Sequence, residues 1–272
     1  MMNNKVSVII PCFNNERTIE RCILSALNQT HKNIEVICIN DGSTDDSWSI
    51  LKKIKRSHDN LFIFDNEQNL GPSFSRNKGV SLSTGKFISF LDADDHWHKK
   101  KLEMQLIFMK EQSLDFIGAT CAIGVTDKRK INKEDLKLKI VSFNMLLFKN
   151  YFQTPSVVMK RDIFVAFNEK QRFSEDYMSW LLITCNKKNK CGLIYGRYLV
   201  FLDKFNFGIS GLSSNLWLME KWEIKNITYF LFRGKIMAIL AIIVSFIKYI
   251  RRCILTIVTK KKVFSNENSN NR

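Results

Sequence analysis

The 272 residues are 45% hydrophobic and 25% charged, an ordinary globular composition that excludes a mainly disordered chain and leaves room for one large domain, alone or with an appendage. The formal charge of +16 is uneven: residues 221–272 hold eleven Lys/Arg against two acids, which is +9, and the other 220 residues carry +7. A basic balance suits nucleic acid, an anionic membrane surface or a phosphorylated ligand, and by itself does not choose among them.

Seven cysteines form an odd set without a CxxC pair and sit mostly inside apolar runs, as buried, reduced thiols do. The first residues run straight into a strand-like segment with no basic stretch, apolar stretch and cleavage site, so the chain is expected to stay in the cytoplasm.

Val6–Ile10 and Ile34–Asn40 are short apolar runs rich in β-branched residues, the pattern of buried parallel strands. Between them Ile19, Cys22, Ile23, Ala26 and Leu27 recur at helical spacing behind a candidate cap at Asn14 or Asn15, which completes a βαβ unit. Asp45 or Asp46 is placed to cap a second helix carrying Trp48, Leu51 and Ile54, and Leu61–Asp65 reads as a third strand. Gly71-Pro72 sets a proline where a helix begins, and Phe87–Leu91 follows as a fourth strand. This alternation predicts an α/β fold with a mostly parallel sheet covered on both faces. Further on, Leu102, Leu106 and Met109 predict a helix, 115–125 a strand and 175–186 a helix.

Residues 236–247, IMAILAIIVSFI, form an apolar run of twelve, interrupted by Lys248, Arg251 and Arg252 before a second patch, Cys253–Val258, and closed by Lys260–Lys262. A bilayer span needs about 20 predominantly apolar residues, so an interfacial amphipathic anchor is the expectation for 221–262. The end, 263–272, has the composition of a disordered tail.

In open α/β sheets ligands bind beyond the carboxyl ends of the strands, which directs attention to Pro11–Glu16, Asp41–Asp46 and Asp92–Asp95. Three carboxylates within four residues at the end of a buried strand repel one another unless a cation intervenes. Asp92 and Asp94, at i and i+2 of an extended segment, point the same way and are able to share one ion. On spacing alone the same residues read equally as a solvated acidic turn with helix-capping aspartates.

VSVIIPCFNNE at 6–16, NDGSTDDS at 40–47, NLGPSFSRNKG at 69–79, TGKFISFLDADD at 84–95 and SED at 174–176 together closely resemble the family-2 glycosyltransferases of the GT-A fold, over roughly residues 5–210. The resemblance implies a GT-A domain over 1–220, its nucleotide-sugar half at about 1–100 and its acceptor half at about 101–220. It implies that Pro11 and Phe13 line a base pocket with Glu16 nearby, that Asp41 accepts a hydrogen bond from the base, commonly uracil, and that Arg76 approaches the nucleotide. Asp92-Ala93-Asp94 matches the DxD motif, with Asp94 the metal ligand for Mn²⁺ or Mg²⁺ and Asp92 reaching the ribose, the diphosphate or the same ion. Asp176 matches the catalytic base of an inverting transfer from a nucleotide-sugar, expected to be UDP-linked, and such a transfer requires no enzyme nucleophile.

The pattern is not followed everywhere. Many relatives carry a late arginine or histidine for the diphosphate, and here only Lys204 is comparable; the acceptor region is expected at 143–175, around Thr154-Pro155-Ser156, and at 205–215. A sugar nucleotidyltransferase usually has a glycine-rich loop after its first strand, and PCFNNE has no glycine. His31, His58, His96 and His98 match no zinc spacing, and surface or supporting roles are expected for them. The Lys/Arg form no nucleic-acid motif, and the densest cluster lies beside apolar runs, so no nucleic-acid partner is expected. Family and tail together imply a peripheral enzyme at the cytoplasmic face of the inner membrane, adding sugar to a lipid-linked saccharide of a bacterial surface polysaccharide, lipopolysaccharide or O-antigen.

Overall fold

The computed structural model describes residues 4–124, 131–203 and 215–270. In chain order the elements are β1 (Val6–Cys12), α1 (Ile19–Leu27), β2 (Ile34–Asn40), α2 (Ser47–Lys55), β3 (Leu61–Asp65), α3 (Pro72–Leu82), β4 (Phe87–Phe90), β5 (His96–Trp97), α4 (Lys101–Glu111), β6 (Phe116–Ala119) and β7 (Cys121–Ile123). They continue as β8 (Lys137–Ile140), α5 (Phe143–Phe148), β9 (Val158–Lys160), α6 (Glu175–Cys185), β10 (Cys191–Tyr195), β11 (Val200–Leu202), α7 (Leu216–Leu231) and α8 (Met237–Asn270). The chain divides into two compact units, Met1–Leu146 with Asn150–Lys204, and Leu147–Lys149 with Phe205–Arg272. That division falls ahead of α7, whereas the boundary expected at 220 lies inside it.

The first unit is built on an eight-stranded sheet of order β3-β2-β1-β4-β9-β6-β10-β8. β1 pairs in parallel with β2 and β4, and β2 with β3, so the apolar runs of β1 and β2 lie in the sheet interior and are buried almost without interruption. The sheet is mixed beyond β4: β9 runs antiparallel to both β4 and β6, and β8 antiparallel to β10. A separate three-stranded sheet, β5-β11-β7, lies in the same unit. The helix expected near Leu102 is α4, the one at 175–186 is α6, and the strand expected at 115–125 is divided into β6 and β7.

Glycine is required where loops meet at the sheet's carboxyl end. Gly42 adopts φ +70°, and a Cβ there would lie 2.7 Å from the backbone carbon of Gln68. The turn after β2 thus lets the 66–71 loop approach it in a conformation an L side chain resists.

In the second unit, α7 and α8 form a hairpin. Trp217 lies against Tyr249 and Glu220 bonds Ser245, the descending order of antiparallel helices. The turn is set by Gly234 at φ +76°, whose N–H donates to the Leu231 carbonyl while Lys235 N–H donates to that of Phe230. α8 continues to Asn270, over positions where a disordered tail was expected from composition.

Candidate active site

The ends of β1 and β2 are fastened to each other residue by residue. Asn14, at φ +52°, accepts the Thr44 N–H on its side chain (2.9 Å), and its own N–H donates to the Ser43 hydroxyl (3.0 Å). The Asn15 and Glu16 N–H groups donate to Ser47 and Asp45, and the Glu16 carboxylate accepts the Asp46 N–H at 3.2 Å. Asn14 and Asn15 therefore tie the two loops together instead of capping α1 with their side chains; the cap position is Thr18. Phe13 projects, 44% exposed, and Pro11 is half-buried.

Asp41 is turned inward. Its carboxylate accepts the Leu70 N–H (3.0 Å), the Gly71 N–H (2.8 Å) and the Asn66 amide (2.8 Å), which latches the 66–71 loop beneath β2 and fixes the start of α3 at Pro72. A carboxylate has about four acceptor positions, so these three contacts leave limited capacity for another donor.

α3 carries Arg76 into the centre of the site. The side chain is buried, and its fork holds Asp92 Oδ1 at 2.7 Å and Glu175 Oε1 at 3.0 Å. It also lies 5.6 Å from the Phe167 ring centroid. Burial opposes the guanidinium charge, but Asp92 and Glu175 overcome that effect and raise its pKa. Residues 92 and 175 are thereby brought to one place from opposite ends of the unit. Sequence reasoning pointed Arg76 at the nucleotide and gave Glu175 no partner; only the two acids opening a helix in SED hinted at it.

Ser174 sits in the left-handed region at φ +53°, a conformation that is uncommon for serine, and it presents Glu175 and Asp176 on the first turn of α6. Asp176 accepts the Thr154 hydroxyl at 2.7 Å and its neighbour Tyr177 N–H at 2.6 Å. Burial raises the Asp176 pKa, with the Thr154 hydrogen bond and Arg76 opposing it. Burial, then the adjacent Asp176, pushes Glu175 up to about 7.

Thr154 is itself fixed from below. The Trp97 indole donates to the Pro155 carbonyl, Gln105 to that of Ser156 (both 2.8 Å), and Ser89 to that of Val157 at 2.6 Å. Lys101, fully buried, donates to the Ser89 hydroxyl and lies 3.8 Å from the Trp97 centroid. Burial drives its pKa well below the lysine range.

The DADD turn follows β4. Its backbone is held by α1, through Arg21 to the Asp94 carbonyl (2.9 Å) and the Cys22 thiol to that of Asp92 (3.4 Å). Asp92 and Asp94 are half-buried, while Ala93 between them is packed in the hydrophobic core. Ala93, which the motif match also places at the nucleotide-sugar, can therefore offer a ligand only its main chain. Asp95 is buried against the Asp203 N–H (3.1 Å), and burial, then Asp92 and Asp94, pushes its pKa up to about 9.

Among the described residues no three His, Cys, Asp or Glu side chains form a preassembled metal cluster. Two neighbouring aspartates without a third protein ligand fit a hard cation that completes its shell with water and substrate phosphates. His96 does not extend the set: its ring stacks on Phe201 at 5.1 Å and neither ring nitrogen has a partner among the described residues. His98 is buried and accepts the Lys100 N–H at 3.2 Å, a supporting role of the kind expected, whereas His96 is half-buried. Lys204 and 205–214 of the expected acceptor region lie outside the described residues.

The model of Glycosyl transferase family 2 matches residues 7–167, more than half of the chain and the whole span from β1 to the Phe167 that underlies Arg76. The chain belongs to glycosyltransferase family 2. An uncharacterized glycosyltransferase of Rickettsia bellii is 38% identical over 190 residues, 66% of this chain; the chain spans only 26% of that relative's length. The Escherichia coli protein named UDP-Glc:alpha-D-GlcNAc-diphosphoundecaprenol beta-1,3-glucosyltransferase WfgD is 31% identical over 221 residues, covering 80% of this chain and 84% of its own. The fold matches the crystal structure of S. aureus TarS 1-349 in complex with UDP-GlcNAc with a TM-score of 0.65 at 20% identity, over 82% of this chain and 66% of that one. Family 2 membership thus rests on the half of the chain that contains Asp41, Arg76 and the DADD turn, while Asp176 lies just beyond it.

Proposed function

We propose that this family 2 member is an inverting glycosyltransferase, moving a sugar from a nucleotide-sugar, UDP-linked, to a hydroxyl of a lipid-linked saccharide in bacterial surface-polysaccharide assembly. The observation that carries the reading is the Arg76 fork, which sets the first aspartate of the DxD motif beside the acidic pair that opens α6. Donor-side and acceptor-side chemistry need that adjacency, because the bond broken and the bond formed share one anomeric carbon. The names of WfgD, with its UDP-glucose donor and diphosphoundecaprenol acceptor, and of the UDP-GlcNAc complex support the donor and acceptor classes.

In this reading Asp176 accepts the proton of the acceptor hydroxyl as that oxygen attacks C1 and the bond from C1 to the nucleoside diphosphate breaks with inversion. A carboxylate made more basic by burial suits proton acceptance near neutral pH. Phe13 offers its exposed ring to the base, Pro11 borders it, and Asp41 and Glu16 act from behind by holding the surrounding loops. Asp94, with Asp92, would hold Mn²⁺ or Mg²⁺, which when bound neutralises charge on the departing diphosphate. Arg76 keeps Asp92 oriented. The enzyme works as a peripheral protein at the cytoplasmic face of the inner membrane, anchored through the basic segment 221–262.

Thermal unfolding with a panel of UDP-, GDP- and dTDP-sugars tests the donor class, since a ligand that binds only the native state raises its stability. A UDP-sugar at about 100 times its Kd stabilises by about 2.7 kcal/mol, and this shift should require Mn²⁺ or Mg²⁺ and exceed those of the other nucleotides. Equal, cation-independent shifts, or none, would sink the reading.

Thr154 gives a finer prediction. Thr154→Val keeps the shape but removes the donor to Asp176, and a hydrogen bond to a charged group contributes about 1.5–3 kcal/mol. The bond lowers the Asp176 pKa, so its loss raises that pKa further. The acidic limb of the kcat profile should then move to higher pH, with kcat reduced about tenfold or more at neutral pH and KM for the donor little changed. Thr154→Ser should restore the profile, and an unshifted limb in the valine variant would remove Thr154 from this role.

A further inference from the structure

α8 packs against α7 through one side only. Ala238, Ala241 and Ser245 are buried in that contact, yet the opposite side is not polar. Ile236, just ahead of the helix, and then Leu240, Ile243, Ile247, Ile250 and Ile254 are all 46–76% exposed. Successive steps of four and three residues align them along one helix face, over about 27 Å at 1.5 Å per residue. Ile239 and Phe246, both 48% exposed, widen this stripe beyond the seam that a/d positions alone would make. A continuous exposed apolar surface of this size marks an interaction site.

We propose that this face of α8 lies in the plane of an anionic lipid bilayer, immersed to the level of the acyl chains, with α7 on its far side. The inference rests on the proposed membrane placement of the enzyme and names the surface that meets the lipid. Three observations select the lipid. Residues 237–259 contain Lys248, Arg251 and Arg252 but no Asp or Glu; Arg252 pairs with Glu223 of α7 and Lys248 donates to the Phe148 carbonyl, while Arg251 stands exposed beside Ile247, Ile250 and Ile254, so the rim of the stripe is basic and complementary to acidic headgroups. Two copies joined through the same stripe would bring their exposed Arg251 charges together with no acid on the helix to answer them, the reverse of the paired charges that flank a coiled-coil seam. Among the described residues no helix is long and apolar enough to cross a membrane, which leaves an in-plane orientation, the geometry of interfacial helices with an apolar face and basic rim.

The test uses the full chain, flotation with vesicles, and Ile243→Ser/Ile247→Ser, both changes on the exposed side where the fold does not require isoleucine. The unaltered chain should float with phosphatidylcholine vesicles containing phosphatidylglycerol and much less with phosphatidylcholine alone. The double variant should lose about tenfold or more of its partitioning, with an unchanged melting temperature and unchanged stabilisation by the donor sugar. The second pair Ile250→Ser/Ile254→Ser should repeat the loss. Retained flotation in both variants, equal binding to neutral vesicles, or a vesicle-free dimer that the substitutions split into monomers would each overturn the proposal, the last by making a second copy the occupant. Because donor stabilisation is measured in the same samples, failure here is distinct from failure of the transferase reading.

Discussion

Asp176→Asn should lower kcat by about 10³-fold while leaving cation-dependent stabilisation by the donor sugar intact. The substitution is nearly isosteric, and the surroundings tolerate it: the amide oxygen continues to accept the Tyr177 N–H, and the Thr154 hydroxyl, which now donates at 2.7 Å, can rotate to accept from the amide NH₂. What disappears is proton affinity. An amide cannot take the acceptor's proton at any accessible pH, so the loss should persist across the whole pH profile and not be recovered at high pH. Glu175 stands next in the chain, but its carboxylate is bound to Arg76 at 3.0 Å, so it is not available as a replacement base. Single-turnover transfer from a labelled UDP-sugar measures the effect directly. Normal turnover, or loss of donor binding in parallel with turnover, would mean that Asp176 serves another purpose.

The parts of the fold legible in the sequence are those with local causes. β1 and β2 are apolar on both faces because helices cover both, and the start of α3 follows from Pro72 directly after a glycine at φ +91°. β9 was not legible. It is three residues long, and its register with β4 joins Phe87 to Lys160, a pairing that no local pattern announces; with it the expected mostly parallel sheet becomes mixed. The same distinction divides the site. The DADD turn and the acids of SED are contiguous motifs that a family resemblance transfers directly. The inward rotation of Asp41, the burial of Ala93 and the use of Glu16 to hold Asp46 depend on which way a side chain faces once two loops meet. At the C-terminus, apolar content and charge were readable, but the exposed stripe became visible only when α7 was found to occupy the other side of α8.

Arg76 is the residue whose importance the sequence understated most, and its removal carries the second large effect. Arg76→Ala leaves Asp92 and Glu175 without a counter-charge in a site that already holds Asp176, and breaking a buried ion pair on one side costs about 3–5 kcal/mol. The denaturation midpoint should fall accordingly with an unchanged slope, and transfer should be lost because Asp92 is no longer oriented. Arg76→Lys should retain much of the stability and little of the activity, since an ammonium is a point charge and cannot reproduce a planar fork that meets two carboxylates at once. Stability and function separate in the double variant Arg76→Ala/Glu175→Gln. Neutralising Glu175 removes one of the stranded charges, so the midpoint should recover in part, whereas Asp92 still lacks its partner and transfer should stay absent. Recovery of both together would show that Arg76 acts only through the fold, and a wild-type midpoint in Arg76→Ala would show that the bridge carries no stability at all.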